Sequence, residues 1–198
     1  MKKLVLLAVL ALALPTAVFA GSNIDYTNSS GTLSGSNSGL SLSGSALIAV
    51  NGNGGLITGS DLGSVSFETG ALSSGSLQQG GTFAAGGWFT ITGNGSNGVP
   101  NGTLFTGTFT GPVTWTLMTL ANGTHNYTLS GALAATSGYS AVGVTVQLTV
   151  NTGKGFFNGC TKISSGDTNV VVPEPGSLSL LGTGLIAMGG MIRRKLKA

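Results

Sequence analysis

Charged side chains are scarce in this chain, and their scarcity excludes several classes of protein. Of 198 residues only 7% are Asp, Glu, Lys or Arg, where about 25% is usual. Because 41% are hydrophobic, the chain is not a charged, apolar-poor disordered protein. A coiled coil would need Ala, Glu, Lys and Leu in heptads, and the 35 glycines follow no collagen period. The composition therefore leaves two classes of protein: an all-β protein with many glycine-containing turns, or a partly disordered chain rich in Ser and Gly.

The basic residues lie at the two ends of the sequence. Lys2 and Lys3 are near the start and four more cations lie within 193–197, so residues 21–175 contain two lysines and five acidic side chains. The net charge of +3 therefore comes from the two ends of the chain, whereas the body between them is weakly acidic. A basic protein would suggest nucleic-acid binding, but a weakly acidic body argues against a nucleic-acid partner.

Cysteine and histidine occur once each, which limits the chemistry of the body. A single cysteine, Cys160, excludes an internal disulfide; we expect it in a half-buried loop, with an intermolecular bond as the alternative. His125 is predicted in a turn between strands, a poor place for the oriented imidazole of a Ser-His-Asp triad. Because the sequence has no Cys/His cluster of the kind that holds zinc, we predict no metal, no cofactor and no catalytic residues.

Three further motifs carry little chemical signal. Residues 93–98 fit the pattern GxGxxG, but no helix is predicted after them, so dinucleotide binding is not indicated. The segment 51–55 with Asp61 has too few carboxylates for calcium. Asp61 and Glu68 could form the carboxylate pair of a glycosidase, but with no sign of a cleft they are better explained as surface charges.

Alternating segments predict strands in the body. In 144–150 Val and Leu alternate with Thr and Gln, and 113–117 repeats the pattern around Trp115. A period of two is typical of half-buried strands. Asn-Gly pairs, the strongest hairpin signal, are predicted to form the turns between strands. These pairs are Asn51-Gly52, Asn53-Gly54, Asn94-Gly95, Asn97-Gly98, Asn101-Gly102 and Asn122-Gly123.

We therefore predict that residues 21–172 form one all-β domain, a β-sandwich or jelly roll. A β-solenoid is the alternative because the chain is rich in Gly, Asn and Thr, although no fixed period supports it. Residues 28–45 are predicted to be a loose strand pair or a flexible lead-in. Residues 151–172 are expected to hold one more strand and then a stalk.

Trp88 is the one candidate ligand contact in the body. The alternation in 82–92 places Trp88 on the polar face with Thr90 and Thr92. An exposed tryptophan can stack on a sugar ring, whereas a bulge at Gly86-Gly87 would reverse the alternation and bury it. The same alternation assigns four side chains to the core face: Phe83, Ala85, Phe89 and Ile91.

The first 20 residues have the three parts of a secretory signal peptide. A basic start at 1–3 precedes the uncharged run 4–14, and small residues follow. We predict that signal peptidase cleaves after Ala20, with Val18 two residues before it and Gly21 as the first exported residue. The apolar run is too short to remain as a span of a bilayer core of ~30 Å.

Residues 173–198 combine a proline-flanked glutamate, an apolar run and a basic tail. Pro173-Glu174-Pro175 precedes the uncharged residues 177–192, which as a helix would cover about 24 Å of a bilayer. Arg193-Arg194-Lys195 is predicted to be a cytoplasmic stop-transfer block. Since the two prolines forbid a helical run-in, the tripeptide is expected to be extended and exposed just outside the membrane.

This arrangement resembles the PEP-CTERM sorting signal. The resemblance rests on Pro173, Glu174 and Pro175, on the stretch 180–185, and on the basic tail. It implies processing by an exosortase, an integral-membrane cysteine enzyme, in a Gram-negative bacterium that makes exopolysaccharide. The implied precursor is held transiently in the inner membrane by 177–192, and the mature protein then lies at the cell surface or in the extracellular matrix.

Together these signals predict an exported, non-enzymatic protein with a structural or adhesive role in the envelope or exopolysaccharide matrix. Low charge, short polar side chains and glycine turns favour a hydrated, unreactive surface. A carbohydrate-binding module that contacts exopolysaccharide through Trp88 is the second hypothesis, and a secreted hydrolase is the third. The expected partners are signal peptidase, exosortase, the membrane and exopolysaccharide.

Overall fold

The computed structural model describes residues 22–52, 54–137 and 143–172, and most of them are in β-strands. Residues Asn23–Val172 form one compact unit. The prediction of an all-β body is confirmed. The strands of the described residues are β1 (Ser22–Ser29), β2 (Thr32–Ser36), β3 (Gly39–Gly52), β4 (Gly55–Glu68), β5 (Leu72–Ser76), β6 (Gly80–Phe83), β7 (Gly86–Asn94), β8 (Asn101–Phe109), β9 (Val113–Thr119), β10 (His125–Ser137), β11 (Gly143–Asn151), β12 (Cys160–Lys162) and β13 (Ser165–Val172).

Eight of the strands in the described part of the chain close into a barrel. Their order is β11-β13-β1-β3-β4-β7-β8-β10, and β10 pairs again with β11. The prediction of a sandwich or jelly roll is not confirmed, because one continuous sheet closes on itself, and the solenoid alternative is not supported. The closing strand is β13, which lies where a stalk was expected.

Two strands, β3 and β10, change partner along their length and carry the remaining described strands. One edge of β3 pairs with β1 through 46–51 and with β2 through 39–43, and β12 adds to β2. In the same way one edge of β10 pairs with β8 through 133–137 and with β9 through 125–130. β6 then pairs with β9, and β5 pairs with β6. The barrel therefore has two side arms, each ending in a short edge strand.

Aromatic side chains fill the barrel. Phe67 and Phe89 stack with ring centroids 5.9 Å apart. Phe105 and Phe109 meet Phe89 edge-on at centroid distances of 6.2 and 6.4 Å. All four are at most 2% exposed, so the predicted inward orientation of Phe89 is confirmed.

A second aromatic cluster lies where the side arm formed by β9, β6 and β5 joins β10. Trp115 and Tyr127 stack at 4.9 Å, and Phe157 meets Trp115 edge-on at 5.4 Å. Trp115 Nε1 donates to the Leu77 carbonyl at 2.9 Å, and the Tyr127 hydroxyl donates to the Gln78 carbonyl at 2.7 Å. The polar ends of these buried rings are therefore paired, as burial of Trp and Tyr requires.

Some of the Asn-Gly pairs lie in turns, whereas Asn51-Gly52 lies at the end of β3 and Asn101-Gly102 at the start of β8. Gly52 pairs with Gly55 across the β3–β4 turn, and Asn122-Gly123 lies in the turn between β9 and β10. Asn101-Gly102 instead lies within β8, paired with the end of β7. The turn prediction at this pair is wrong because a 3-10 turn at Ser96–Gly98 has already reversed the chain.

Residues that were expected to be loose or stalk-like form strands. Residues 28–45 contain the end of β1, all of β2 and the start of β3, as the strand-pair alternative proposed. The expected stalk is not observed in 151–172, since β12 and β13 lie there and β13 continues to Val172.

Both ends of the body lie at the same end of the barrel. Consecutive ring strands from β1 through β3, β4, β7, β8, β10 and β11 to β13 pair antiparallel. As a result β13 ends where β11 begins, and β1 begins near the β3–β4 turn. We call this the terminal end of the barrel. The opposite end, where β4 ends at Glu68 and β7 begins at Gly86, is called the far end.

Candidate functional site

The closing strand of the barrel leads directly into the predicted sorting signal. Val170 of β13 is 0% exposed and belongs to the core, and β13 ends at Val172. The next residue is Pro173, so no intervening segment separates the last barrel strand from the tripeptide. The last strand of the barrel thus ends immediately before the residues that a processing enzyme would recognise.

The other residues predicted for export and sorting lie outside the described part of the chain. They are the signal-peptidase residues Val18, Ala20 and Gly21, the tripeptide with the apolar run 177–192, and the basic block of Arg193, Arg194 and Lys195. Within the described ranges there is no helix with the length and hydropathy of a membrane span.

Trp88 lies on the outer face of the barrel toward the far end. It is 44% exposed, whereas its neighbour Phe89 is 0% exposed, so the alternation placed both side chains correctly. Ala85 is exposed, against the prediction, because β6 ends at Phe83 and the alternation restarts in β7. The indole Nε1 of Trp88 donates a hydrogen bond to Glu68 Oε2 at 3.2 Å. This contact, which spans two strands, fixes the orientation of an exposed aromatic ring.

Glu68 also lines a groove of about 210 Å³ beside Trp88. Among the described residues that line it, Glu68 is the only charged one. The remaining lining residues are small or hydroxyl-bearing, apart from one leucine: Ser34, Gly35, Ser36, Ser38, Gly39, Leu40, Ser41 and Gly159. The site thus combines an aromatic face, a carboxylate and several hydroxyl groups, which are the groups that bind the faces and hydroxyls of sugars.

Asp61 and Glu68 do not form a catalytic carboxylate pair. Both are on β4, and the regular stretch 63–68 alone spans about 17 Å at a strand rise of ~3.4 Å per residue. Glycosidase carboxylates lie roughly 5–9.5 Å apart. Asp61 instead accepts hydrogen bonds from the Gly63 N–H at 3.2 Å and from Asn94 Nδ2 at 3.4 Å. Its carboxylate therefore stabilises the local structure where β4 meets the end of β7.

The single histidine and the single cysteine are placed differently from their predictions. His125 is not in a turn: it is the first residue of β10, is 8% exposed, and packs on Phe156 with ring centroids 4.3 Å apart. Cys160 is not half-buried but exposed, at the start of the edge strand β12. Among the described residues no group of three or more His, Cys, Asp or Glu is arranged to hold a metal ion.

A second groove, of about 550 Å³, lies on the outer face around Asp25 and Asp167. Burial of Asp25, and secondly the nearby Asp167 carboxylate, raise the pKa of Asp25 above its ordinary value. Protonation of Asp25 therefore favours the folded state. This contribution is fully present below the unfolded value of about 3.9, and it is lost as the pH rises through the raised pKa of the folded state.

We expect Asp25→Asn to stabilise the protein at pH 7, because it removes a partly buried charge beside a second carboxylate. The melting temperature should rise by about 1–2 °C, the size of a favourable surface substitution of up to ~0.5 kcal/mol in a chain of this length. Thermal unfolding followed by circular dichroism at pH 7 and pH 3 provides the check. The gain should vanish at pH 3, where the wild-type carboxyl is protonated; an equal gain at both pH values would contradict the electrostatic cause.

Comparison with protein-family models gives a match at the sorting signal. Residues 171–195 match the family model described as the PEP-CTERM protein-sorting motif. The chain therefore carries this motif, and the resemblance drawn from the sequence is confirmed. The motif is the mark of an exported precursor that passes through a membrane and is processed by an exosortase. No curated protein matches the chain, and no solved structure matches it.

Proposed function

We propose that the chain is a non-enzymatic structural or adhesive protein of the cell surface or exopolysaccharide matrix, released or transferred there after exosortase cleavage near Pro173-Glu174-Pro175. The observation that carries the proposal is the direct junction of barrel and motif. β13 ends at Val172, and the match to the sorting motif begins at residue 171. The barrel is thus the cargo that the motif delivers.

The character of the barrel supports a structural or adhesive role. Its described interior is filled by packed phenylalanines, which suits a rigid unit rather than a container for a ligand. The Asp61–Glu68 pair is too widely spaced for glycosidase chemistry, and His125 is packed against Phe156. The outer face is rich in short hydroxyl side chains with few charges, which favours contact with a hydrated matrix.

Replacing Pro173-Glu174-Pro175 by three alanines should abolish processing in the native host. Glu174 is the only charged group of the tripeptide and is the expected specificity contact, while the prolines hold the backbone extended for an enzyme at the membrane surface. We expect a larger, membrane-bound form to replace the processed one. Intact-mass analysis of the membrane and extracellular fractions measures the change directly.

The matched control replaces Ser177-Leu178-Ser179 by alanines, which alters three neighbouring residues and leaves the tripeptide intact. This variant should be processed like the wild type. A wild-type surface or secreted form that still carries Arg193 to Ala198 would overturn the proposed processing, as would normal cleavage of the triple-alanine tripeptide variant.

A carbohydrate-binding module is the second candidate function, and Trp88 is the observation that favours it. An exposed tryptophan whose ring is fixed by Glu68 at 3.2 Å is suited to stacking on a sugar ring. Its test is retention of the full chain by a panel of immobilised polysaccharides, including the exopolysaccharide of the host.

A further inference from the structure

We infer that a row of five outward-facing positions, Trp88, Glu68, Ser41, Ser34 and Cys160, is the binding surface for an extended, neutral polysaccharide. This inference rests on the proposed carbohydrate-binding function and assigns its site and ligand class. Each member of the row is paired with the next across adjacent strands: Glu68 with Trp88, Ser41 with Glu68, Ser34 with Ser41, and Cys160 with Ser34.

The row, called the glycan row below, crosses β7, β4, β3, β2 and β12. Neighbouring strands lie about 4.8 Å apart, so the four intervals span roughly 19 Å. Three of its members, Glu68, Ser41 and Ser34, line the groove of about 210 Å³. A surface of this length fits several sugar units of a polymer rather than one monosaccharide.

The side chains of the glycan row change from an aromatic ring at one end to hydroxyl groups further along, and a sugar chain presents C–H faces and hydroxyls that suit both. At one end the Trp88 ring carries a negative π face, which attracts the C–H groups on one face of a pyranose ring. Glu68 Oε2 holds the indole N–H at 3.2 Å, and the carboxylate keeps further lone pairs free to accept sugar hydroxyls. Ser41 and Ser34 then offer hydroxyls that both donate and accept.

The charges around the glycan row favour a neutral ligand. Glu68 is the only charged residue among the described residues that line the groove, and its carboxylate repels uronic acids and sulfated sugars. Lys162 lies two residue pairs further along β12, opposite Thr32, and is therefore beside the row rather than in it. A neutral glucan meets no unfavourable charge along this path.

The position of the glycan row in the barrel also suits a protein that is sorted through its last strand. Trp88 and Glu68 lie toward the far end, whereas β13 ends at the terminal end. Within the barrel, Trp88 and Glu68 are therefore remote from Val172, the last residue of β13.

The test measures binding of the full chain in a zwitterionic detergent without sugar headgroups. Affinity electrophoresis in gels containing hydroxyethylcellulose or dextran as neutral probes, or alginate as an acidic probe, gives the dissociation constants. We expect retardation by a neutral glucan, at least tenfold weaker retardation for Trp88→Ala, and none by alginate. The matched control is Phe156→Ala, since Phe156 is 47% exposed but lies outside the row; it should bind like the wild type.

Glu68 is inferred to be a positioning residue for Trp88, and two variants separate this role from a structural one. Glu68→Gln keeps an oxygen that can accept the indole N–H, and it should retain most of the affinity. Glu68→Ala frees the ring and should weaken binding by about three- to fivefold without lowering the melting temperature. Equal losses in both variants would show that the carboxylate charge, and not the position of the ring, controls binding.

Cys160 serves as a reporter at the other end of the glycan row. It is exposed and is the only cysteine of the chain, so its alkylation rate is measurable without ambiguity. A bound polymer that follows the row should slow alkylation at least threefold, while a disaccharide that occupies only the Trp88 end should not. An unchanged alkylation rate under saturating polymer would overturn the extended site.

The outcomes distinguish failure of the site from failure of the function. Retention by a glucan that is unaffected by Trp88→Ala would overturn the glycan row and leave the carbohydrate-binding function intact. Retention by alginate alone would overturn the neutral ligand class. Absence of retention by every polysaccharide, including that of the host, would overturn both the function and the site.

Discussion

Truncating the chain after Ser164 is expected to abolish cooperative unfolding of the barrel. The truncation removes β13, which lies between β11 and β1 in the ring, and it exposes one edge of each of these strands. It also removes Thr168 and Val170, which are 0% exposed. A domain is stable by only about 5–15 kcal/mol, so the loss of a whole core strand should consume most of that stability.

The control is truncation after Val172, which retains every described strand. This form should show a single thermal transition in near-ultraviolet circular dichroism, and the shorter form should show none and should aggregate through its open edges. A cooperative transition at an unchanged temperature in the shorter form would show that β13 is not part of the folded unit. If the two forms behave as expected, processing must leave β13 on the product for that product to be stable.

Phe89→Ala should destabilise the protein by about 3–5 kcal/mol, whereas the adjacent Trp88→Ala should cost less than about 1 kcal/mol. Phe89 is 0% exposed and its ring meets those of Phe67, Phe105 and Phe109, so its removal leaves a cavity among rigid rings. Trp88 is 44% exposed and contributes mainly one surface hydrogen bond. Urea unfolding of the two variants measures the difference.

The two residues are consecutive, so each variant controls for the strand in which the other lies. At this chain length the Phe89→Ala loss corresponds to a fall in melting temperature of roughly 6–20 °C. Equal losses in the two variants would contradict the assignment of Trp88 to the outer face and would remove the basis of the glycan row.

The local features of this fold were predictable from sequence because they depend on neighbouring residues. The opposite orientations of Trp88 and Phe89 follow from a period of two, and the Asn122-Gly123 turn follows from the positive φ that Gly tolerates. His125 was misplaced because it directly follows that turn, and only the contact with Phe156, about thirty residues away, shows why it is buried.

Closure of the barrel could not be predicted, because its last strand carries no recognisable pattern. The inward positions of β13 before Val170 are Gly166 and Thr168, both buried, and neither is an apolar residue that would mark a core face. Their burial depends on pairing with β11 and β1, which is decided by the whole sheet. The register that places Glu68 opposite Trp88 is likewise a property of two strands, so the sequence indicated Trp88 but not its partner.

The pairing of the first strand with the last has a consequence for the order of folding during export. β1 and β13 are neighbours in the ring although about 140 residues separate them in sequence, and contacts of such high sequence separation form slowly because a long loop must close first. In a chain that leaves the cytoplasm from its N-terminal end, as the signal sequence predicts, β13 crosses last. We therefore expect the barrel to close only after the whole body has been translocated, because β1 has no ring partner at β13 until then.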